Sequence, residues 1–162
     1  METLPTKPDV KILIDGDACP VKDEIYKVAL RHKVPVILVA NSWIRMPDHP
    51  LFTFKLVSDG FDAADDYVAE LASPQMIAIT SDIPLADRCL KAGALVLSPR
   101  GRAFTENSIG SALATRAIMA DLRAGVGNEQ IGGQAPFSKA DRSNFLQALD
   151  TAIVKRKKEV SG

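Results

Sequence analysis

Asp15 and Asp17 bracket a glycine in the segment Ile14-Asp15-Gly16-Asp17-Ala18-Cys19-Pro20, directly after a short apolar run. A second group, Asp62, Asp65 and Asp66, falls within Gly60-Phe61-Asp62-Ala63-Ala64-Asp65-Asp66. A third, Asp82 and Asp87, flanks Ile83-Pro84-Leu85-Ala86 after the run Met76–Thr80. Like charges one helical turn apart repel by about 0.2–0.5 kcal/mol per pair. A hard divalent cation such as Mg²⁺ or Mn²⁺ reverses that sign, because it takes carboxylate oxygens as ligands. The chemistry such a set supports is metal-assisted: water activation and stabilisation of charge on a leaving oxygen. Each aspartate also has an ordinary role, since Asp is a favoured N-cap and acids in a first helical turn are stabilised by the helix dipole.

Other side chains with chemical potential are sparser. Cys19 precedes Pro20 at a predicted helix start, where a thiol pKa can fall, but no histidine is near in sequence and a half-buried filler role suffices. His32 and His49 stand alone. Trp43, with Asn41, Ser42 and Arg45, follows the second predicted strand. It is read either as an anchor tucked onto the core or as a base-stacking ring for single-stranded nucleic acid. Arg100, Arg102, Arg116, Arg123, Lys139 and the run Lys155-Arg156-Lys157-Lys158 are candidate phosphate contacts. The terminal run also suits a helix C-terminus and a solvated tail.

The elements that must position these residues follow from periodicity. Val10–Ile14 is a buried strand, and Pro20 to about His32 a helix with Ile25, Val28 and Ala29 on one face. Val34–Ala40 is a β-branched strand, residues 41–53 a loop with two prolines, and Phe54–Val57 a short third strand. Asp62 to Ala72 is a helix. At about 100° per residue it sets Asp62, Asp65 and Asp66 on one face and Ala64, Val68 and Leu71 on the other. Met76–Thr80 is a strand, Pro84 to Ala92 a helix closed by Gly93, and Ala94–Leu97 a strand. Thr105 to about Ala124 is a long helix and residues 125–137 a glycine-rich loop. Ser138 opens a last helix with Asp141 as capping-box partner and Phe145, Leu149, Ala152 and Ile153 as its apolar stripe.

Strands separated by helices imply an open, mainly parallel α/β sheet with right-handed crossovers. One domain is expected, with a core at about residues 9–100 and C-terminal helices at about 105–158. In such a sheet, ligands bind beyond the carboxyl ends of the strands. Asp15, Asp17 and Asp82 directly follow strands there, and Asp87 and the Asp62, Asp65 and Asp66 group lie on helices expected to start there, so three acidic groups are expected to converge on one edge.

At 162 residues, 46% hydrophobic and 25% charged, the chain has the balance of a globular domain. It is not that of a disordered, collagenous or disulfide-framed protein. No apolar run reaches the roughly 18 residues of a membrane span. The opening Met1–Lys11 lacks a signal-type apolar stretch, so a cytoplasmic location with reduced thiols is expected, without membrane association. The formal net charge is zero, yet residues 1–87 carry 8 Lys and Arg against 14 Asp and Glu, and residues 88–162 carry 12 against 6. An acidic pocket beside a basic, polyanion-binding surface would sort charge in this way, as would chance distribution over a solvated surface.

These residues resemble the YaiI/YqxD family of small bacterial proteins, grouped with PIN-like nucleases. The resemblance rests on Ile14-Asp15-Gly16-Asp17-Ala18-Cys19-Pro20-Val21, Ala40-Asn41 and Gly60-Phe61-Asp62-Ala63-Ala64-Asp65-Asp66. It continues in Thr80-Ser81-Asp82-Ile83-Pro84-Leu85-Ala86, in Pro99-Arg100-Gly101 and in the Phe145…Leu149-Asp150 ending. The family's first motif commonly reads Asp-Ala-Asp, and Gly16 in place of the alanine is expected to be silent. The family name carries no activity. The PIN-like grouping implies a PIN-like fold with Asp15, Asp65 and Asp82 as the catalytic carboxylates around Mg²⁺ or Mn²⁺. Asp17, Asp62, Asp66 and Asp87 are further candidate ligands, and Asn41, Ser42, Arg45, Arg100 and Arg102 candidate substrate contacts.

The leading expectation is therefore a metal-dependent phosphodiesterase acting on RNA, single-stranded RNA being the expected partner. A non-catalytic RNA-binding or regulatory protein is one alternative. A haloacid-dehalogenase-like phosphatase is another. Its Asp-x-Asp after the first strand is matched by Asp15-Gly16-Asp17, but Asp65-Asp66 precede Thr80-Ser81, the reverse of that family's order.

Overall fold

A computed structural model describes residues 10–58, 63–111 and 137–161. Five strands form one sheet: β1 (Lys11–Asp15), β2 (Val36–Ala40), β3 (Phe52–Leu56), β4 (Met76–Ile79) and β5 (Leu95–Leu97). Their order is β3-β2-β1-β4-β5 and every pairing is parallel. The architecture is α/β, as the alternation of strand and helix patterns predicts. β3 begins two residues earlier than its pattern suggests, because Phe52 and Phe54 both turn toward the core beside β2.

The strands alternate between two apolar clusters, as the pleat requires. Ile12 and Ile14 of β1, Val36 and Leu38 of β2, and Ile77 and Ile79 of β4 face the first, together with α1 (Lys22–His32) and α5 (Lys139–Ser161). Leu13, Val39, Ala78 and Val96 face the second, with α2 (Ala63–Leu71) and α3 (Ile83–Lys91). A sheet covered on both faces needs strands that are apolar on both sides, which is why β1, β2 and β4 read as near-continuous hydrophobic runs.

Local chemistry sets the ends of the helices. Lys33 closes α1 in the left-handed conformation at φ 57°, its N–H reaching the Ala29 and Leu30 carbonyls. Asp82 caps α3 by accepting the Leu85 N–H, Pro84 sits in its first turn, and Gly93 follows it at φ 93°. α4, helical over 106–111 within the described residues, opens on Thr105 and Ser108, whose hydroxyls accept each other's backbone N–H. The remainder of the predicted Thr105–Ala124 helix and most of the 125–137 loop lie outside the described residues.

α5 starts with the expected capping box: Ser138 N–H donates to Asp141 at 2.9 Å and Asp141 N–H to Ser138 Oγ at 3.1 Å. Phe145, Leu149, Ala152 and Ile153 are buried against α1 and the sheet. An antiparallel bridge of Leu97 with Ala103 covers the outer edge of β5, so that edge is not left bare.

Candidate functional site

The chain leaves β1 toward β2 over one face of the sheet and leaves β4 toward β5 over the other. The crevice between the carboxyl ends of β1 and β4 is thus the topological switch point, the usual place for a ligand in such a sheet. Asp15 is the last residue of β1, and Thr80, Ser81 and Asp82 lead from β4 into α3.

Thr80 joins the two strand ends. Its hydroxyl donates to Asp15 Oδ2 at 2.8 Å and accepts the Asp82 N–H at 3.0 Å. Asp82 Oδ1 in turn accepts the Leu85 N–H at 2.9 Å. Asp17 lies in the single 3₁₀ turn after β1, and its carboxylate accepts the Asn41 backbone N–H at 3.2 and 3.3 Å. With its amide nitrogen turned toward Asp17, the Asn41 side chain donates to the same oxygens at 3.1 and 3.2 Å. The end of β2 is thereby fastened to the turn after β1.

Burial is the main force raising the Asp15 pKa above its ordinary value. The Thr80 hydrogen bond opposes it, and the negative charges of Asp17 and Asp82 reinforce it. The negative charges of Asp17 and Asp82 thus both reach Asp15. Asp65, in the first turn of α2, is half-buried and its charge reaches the Cys89 thiol, as does that of Asp15.

The remaining predicted acids are placed differently. Asp66 is paired with Arg88 at 2.9 Å and Asp87 with Lys91 at 2.7 Å, both exposed pairs. Asp62 lies outside the described residues, as do Arg116 and Arg123. Among the described residues no group of three or more His, Cys, Asp or Glu side chains is close enough to hold a metal ion as it stands. The donors of Asp15, Asp17 and Asp82 are the hard oxygens that Mg²⁺ or Mn²⁺ prefers, and their mutual repulsion is what a cation would relieve.

Both cysteines are buried, and burial raises both pKa values, that of Cys89 to about 11. Cys19 is an apolar filler, more fully buried than the half-buried one expected. His32 Nε2 lies 2.6 Å from Asp150 Oδ1, joining α1 to α5, and His49 Nδ1 accepts the Leu51 N–H in the β2–β3 loop. Arg100 pairs with Asp141 at 2.8 Å and stands over the Phe137 ring. Arg100, Arg102 and Lys155 line an open groove of about 510 Å³ between the β5 hairpin and α5, which none of the candidate aspartates borders.

Trp43 corrects one expectation. It is not tucked onto the core but 72% exposed. Ile44 and Met46, the apolar residues on either side of Arg45, supply the loop's anchorage instead. Thr80 is the residue that the sequence reading undervalued. A hydroxyl closing an otherwise apolar strand, 2% exposed, had to have partners, and that requirement was the available signal. Arg88, which draws Asp66 away into an ion pair, carried no comparable signal.

No helix among the described residues is long and apolar enough to cross a membrane. No solved structure matches the chain. A UPF0178 protein of Sphingopyxis alaskensis is 65% identical over 147 residues, 91% of this chain and 95% of the relative. One from a Jannaschia species is 63% identical over 142 residues, 88% and 91% of the two chains. One from Paramagnetospirillum magneticum is 56% identical over 150 residues, 93% and 98%. The model of a family described as "Uncharacterized BCR, YaiI/YqxD family" matches residues 13–155. Full-length similarity at these levels, together with the family match, leaves one conclusion: the chain belongs to the YaiI/YqxD family.

Proposed function

We propose that the carboxyl-edge aspartates bind a divalent cation, Mg²⁺ or Mn²⁺, and that the protein hydrolyses phosphodiester bonds in single-stranded RNA. The observation that carries this reading is Asp15. Partial burial is the main force pushing it toward its protonated form, Asp17 and Asp82 add to that push, and a hydrogen bond from Thr80 opposes it. Carboxylates kept together against their own repulsion are a cation site in the making. Asp15 and Asp82 are the proposed principal ligands, with Asp65 completing the set and Asp17 held ready by Asn41. A bound ion supplies water activation and charge stabilisation at the leaving oxygen. The protein's own part is to orient Asp15 through Thr80 and to present Asn41, Ser42 and Arg45 at the same edge.

The test mixes purified protein, labelled single-stranded RNA and Mn²⁺, alongside Asp15→Asn and Asp82→Asn. Cleavage by wild type that disappears in both variants and in EDTA supports the reading. Equal cleavage by all three proteins overturns it. A second reading, an RNA-binding protein without turnover, draws on the ion pairs that occupy Asp66 and Asp87. RNA binding and Mn²⁺-dependent melting, with no cut strand, would select it.

A further inference from the structure

The β2–β3 loop, residues 41–51, has no regular structure but a clear order of exposure. Ile44 and Met46 are partly buried and pack on the cluster beneath α1, while Trp43, Arg45 and Pro47 are exposed. That alternation belongs to extended chain, whose successive side chains leave on opposite sides. Trp43 and Arg45 therefore leave on the same side, roughly 6.6 Å apart along the backbone. The two inward residues on either side of Arg45 pin them there.

Among the described residues neither the Trp43 indole N–H nor the Arg45 guanidinium has a hydrogen bond or ion pair. The chain's only tryptophan is 72% exposed. So large an apolar ring left in water forgoes the gain of burial, and no core cluster among the described residues takes it up. Of its exposed neighbours over residues 41–48, Asn41, Ser42, Arg45 and Asp48 are polar and Pro47 is the apolar exception, so the surround is mainly polar and unlike an apolar patch that a second protein would cover. A flat aromatic face beside a free guanidinium suits a nucleotide, base on ring and phosphate on cation. Asn41, two residues before Trp43, is bonded to Asp17, so the root of this loop is fixed to the acidic edge.

We infer that Trp43 and Arg45 form a nucleotide subsite for single-stranded RNA, stacking one base on the indole and holding a phosphate on the guanidinium beside the acidic crevice. The inference rests on the RNA reading above and adds where the strand is held.

The experiment uses the full chain in EDTA, so that no strand is cut, with an unstructured 12-nucleotide RNA carrying a 5′ fluorophore. Trp43 being the only tryptophan, intrinsic emission reports on this position alone. Emission is expected to be quenched with the same midpoint as the rise in RNA anisotropy. Trp43→Ala should weaken binding on the order of tenfold or more, and Trp43→Phe far less. Arg45→Gln should reduce the slope of log affinity against log salt by about 0.7. RNA binding with unchanged Trp43 emission and unchanged Trp43→Ala affinity overturns the subsite, as does no RNA binding at all. Emission that shifts with protein concentration alone, together with a dimer in sedimentation, also overturns it by assigning the ring to a second copy. A strand bound with quenching but never cut in Mn²⁺ leaves the subsite standing and removes the hydrolase. A strand cut equally well, with equal KM, by wild type and Trp43→Ala does the reverse.

Discussion

Thr80 and Asp15, sixty-five positions apart, meet through a 2.8 Å hydrogen bond across the β1–β4 switch point, and the same Thr80 oxygen accepts the Asp82 N–H. One buried hydroxyl thus sets both the carboxylate that ends β1 and the start of α3. Thr80→Val keeps the shape and removes both bonds, leaving a partly buried carboxylate and an N–H short of partners. A loss of about 1–3 kcal/mol is expected in urea denaturation, against under about 1 kcal/mol for Thr80→Ser. The Asp15 pKa, followed by carboxyl-carbon NMR, should rise further in Thr80→Val, because the lost bond is the influence that lowers it.

Asp15 also predicts an unusual pH dependence. Its folded pKa is raised above 3.8 by burial first, and by Asp17 and Asp82. The folded state therefore binds its proton more tightly than the unfolded state. The ionised residue costs stability above the raised pKa, and that cost fades as pH falls toward 3.8. Asp15→Asn, which can still accept from Thr80, should melt at a higher temperature than wild type at pH 7, the gap closing toward pH 4. Millimolar Mn²⁺ should stabilise wild type, by about 2.7 kcal/mol at a hundredfold excess over Kd, and not the variant.

Asp150 has the opposite sign. Chiefly its hydrogen bond to His32, and also Arg31, hold its pKa below 3.8. Its contribution is present above 3.8 and lost as pH falls through the lower folded value. Asp150→Asn should lower the melting temperature at pH 6–7 and match wild type near pH 2. The Asp150 side chain is 40% exposed. Solvent screening therefore keeps the difference within about 1 kcal/mol.

Two glycines test the packing. Gly101 has φ +89°, and a Cβ there would stand 2.7 Å from the Asn144 carbonyl on α5. Backbone cannot yield as a side-chain tip can, so Gly101→Ala should cost about 2–4 kcal/mol and loosen α5, seen as faster amide exchange along that helix. At Gly16 a Cβ would stand 2.5 Å from Leu38 Cδ1 and 3.0 Å from the Val39 carbonyl oxygen. The replacement read from sequence as silent is thus a fit to this chain's Leu38. Gly16→Ala should cost about 1 kcal/mol, partly recovered in a Gly16→Ala, Leu38→Val double variant.

Much of the scaffold was legible because its signals are local. The strands at Lys11–Asp15 and Met76–Ile79 are apolar on both sides, Gly93 ends α3, and Ser138 with Asp141 opens α5. The convergence of Asp15 and Asp82 was also within reach, since parallel strands bring their carboxyl ends to one edge. Less legible were the partners of the acids on helix surfaces. Asp66 and Asp87 look alike on a helical wheel and end in ion pairs with Arg88 and Lys91. An exposed ion pair leaves no periodic trace.

The amino-acid order alone determined the alternation of strand and helix, the two-faced burial of the sheet and the position of Asp15 and Asp82 at strand ends. Each of these depends on interactions within a few residues or on a repeat of side-chain polarity. Tertiary structure alone decided that Thr80 couples Asp15 to Asp82, that Gly16 must be small, and that Trp43 faces water while Ile44 and Met46 turn inward. Those outcomes depend on which atoms from distant segments arrive at the same place. Close packing settles that and pattern does not encode it.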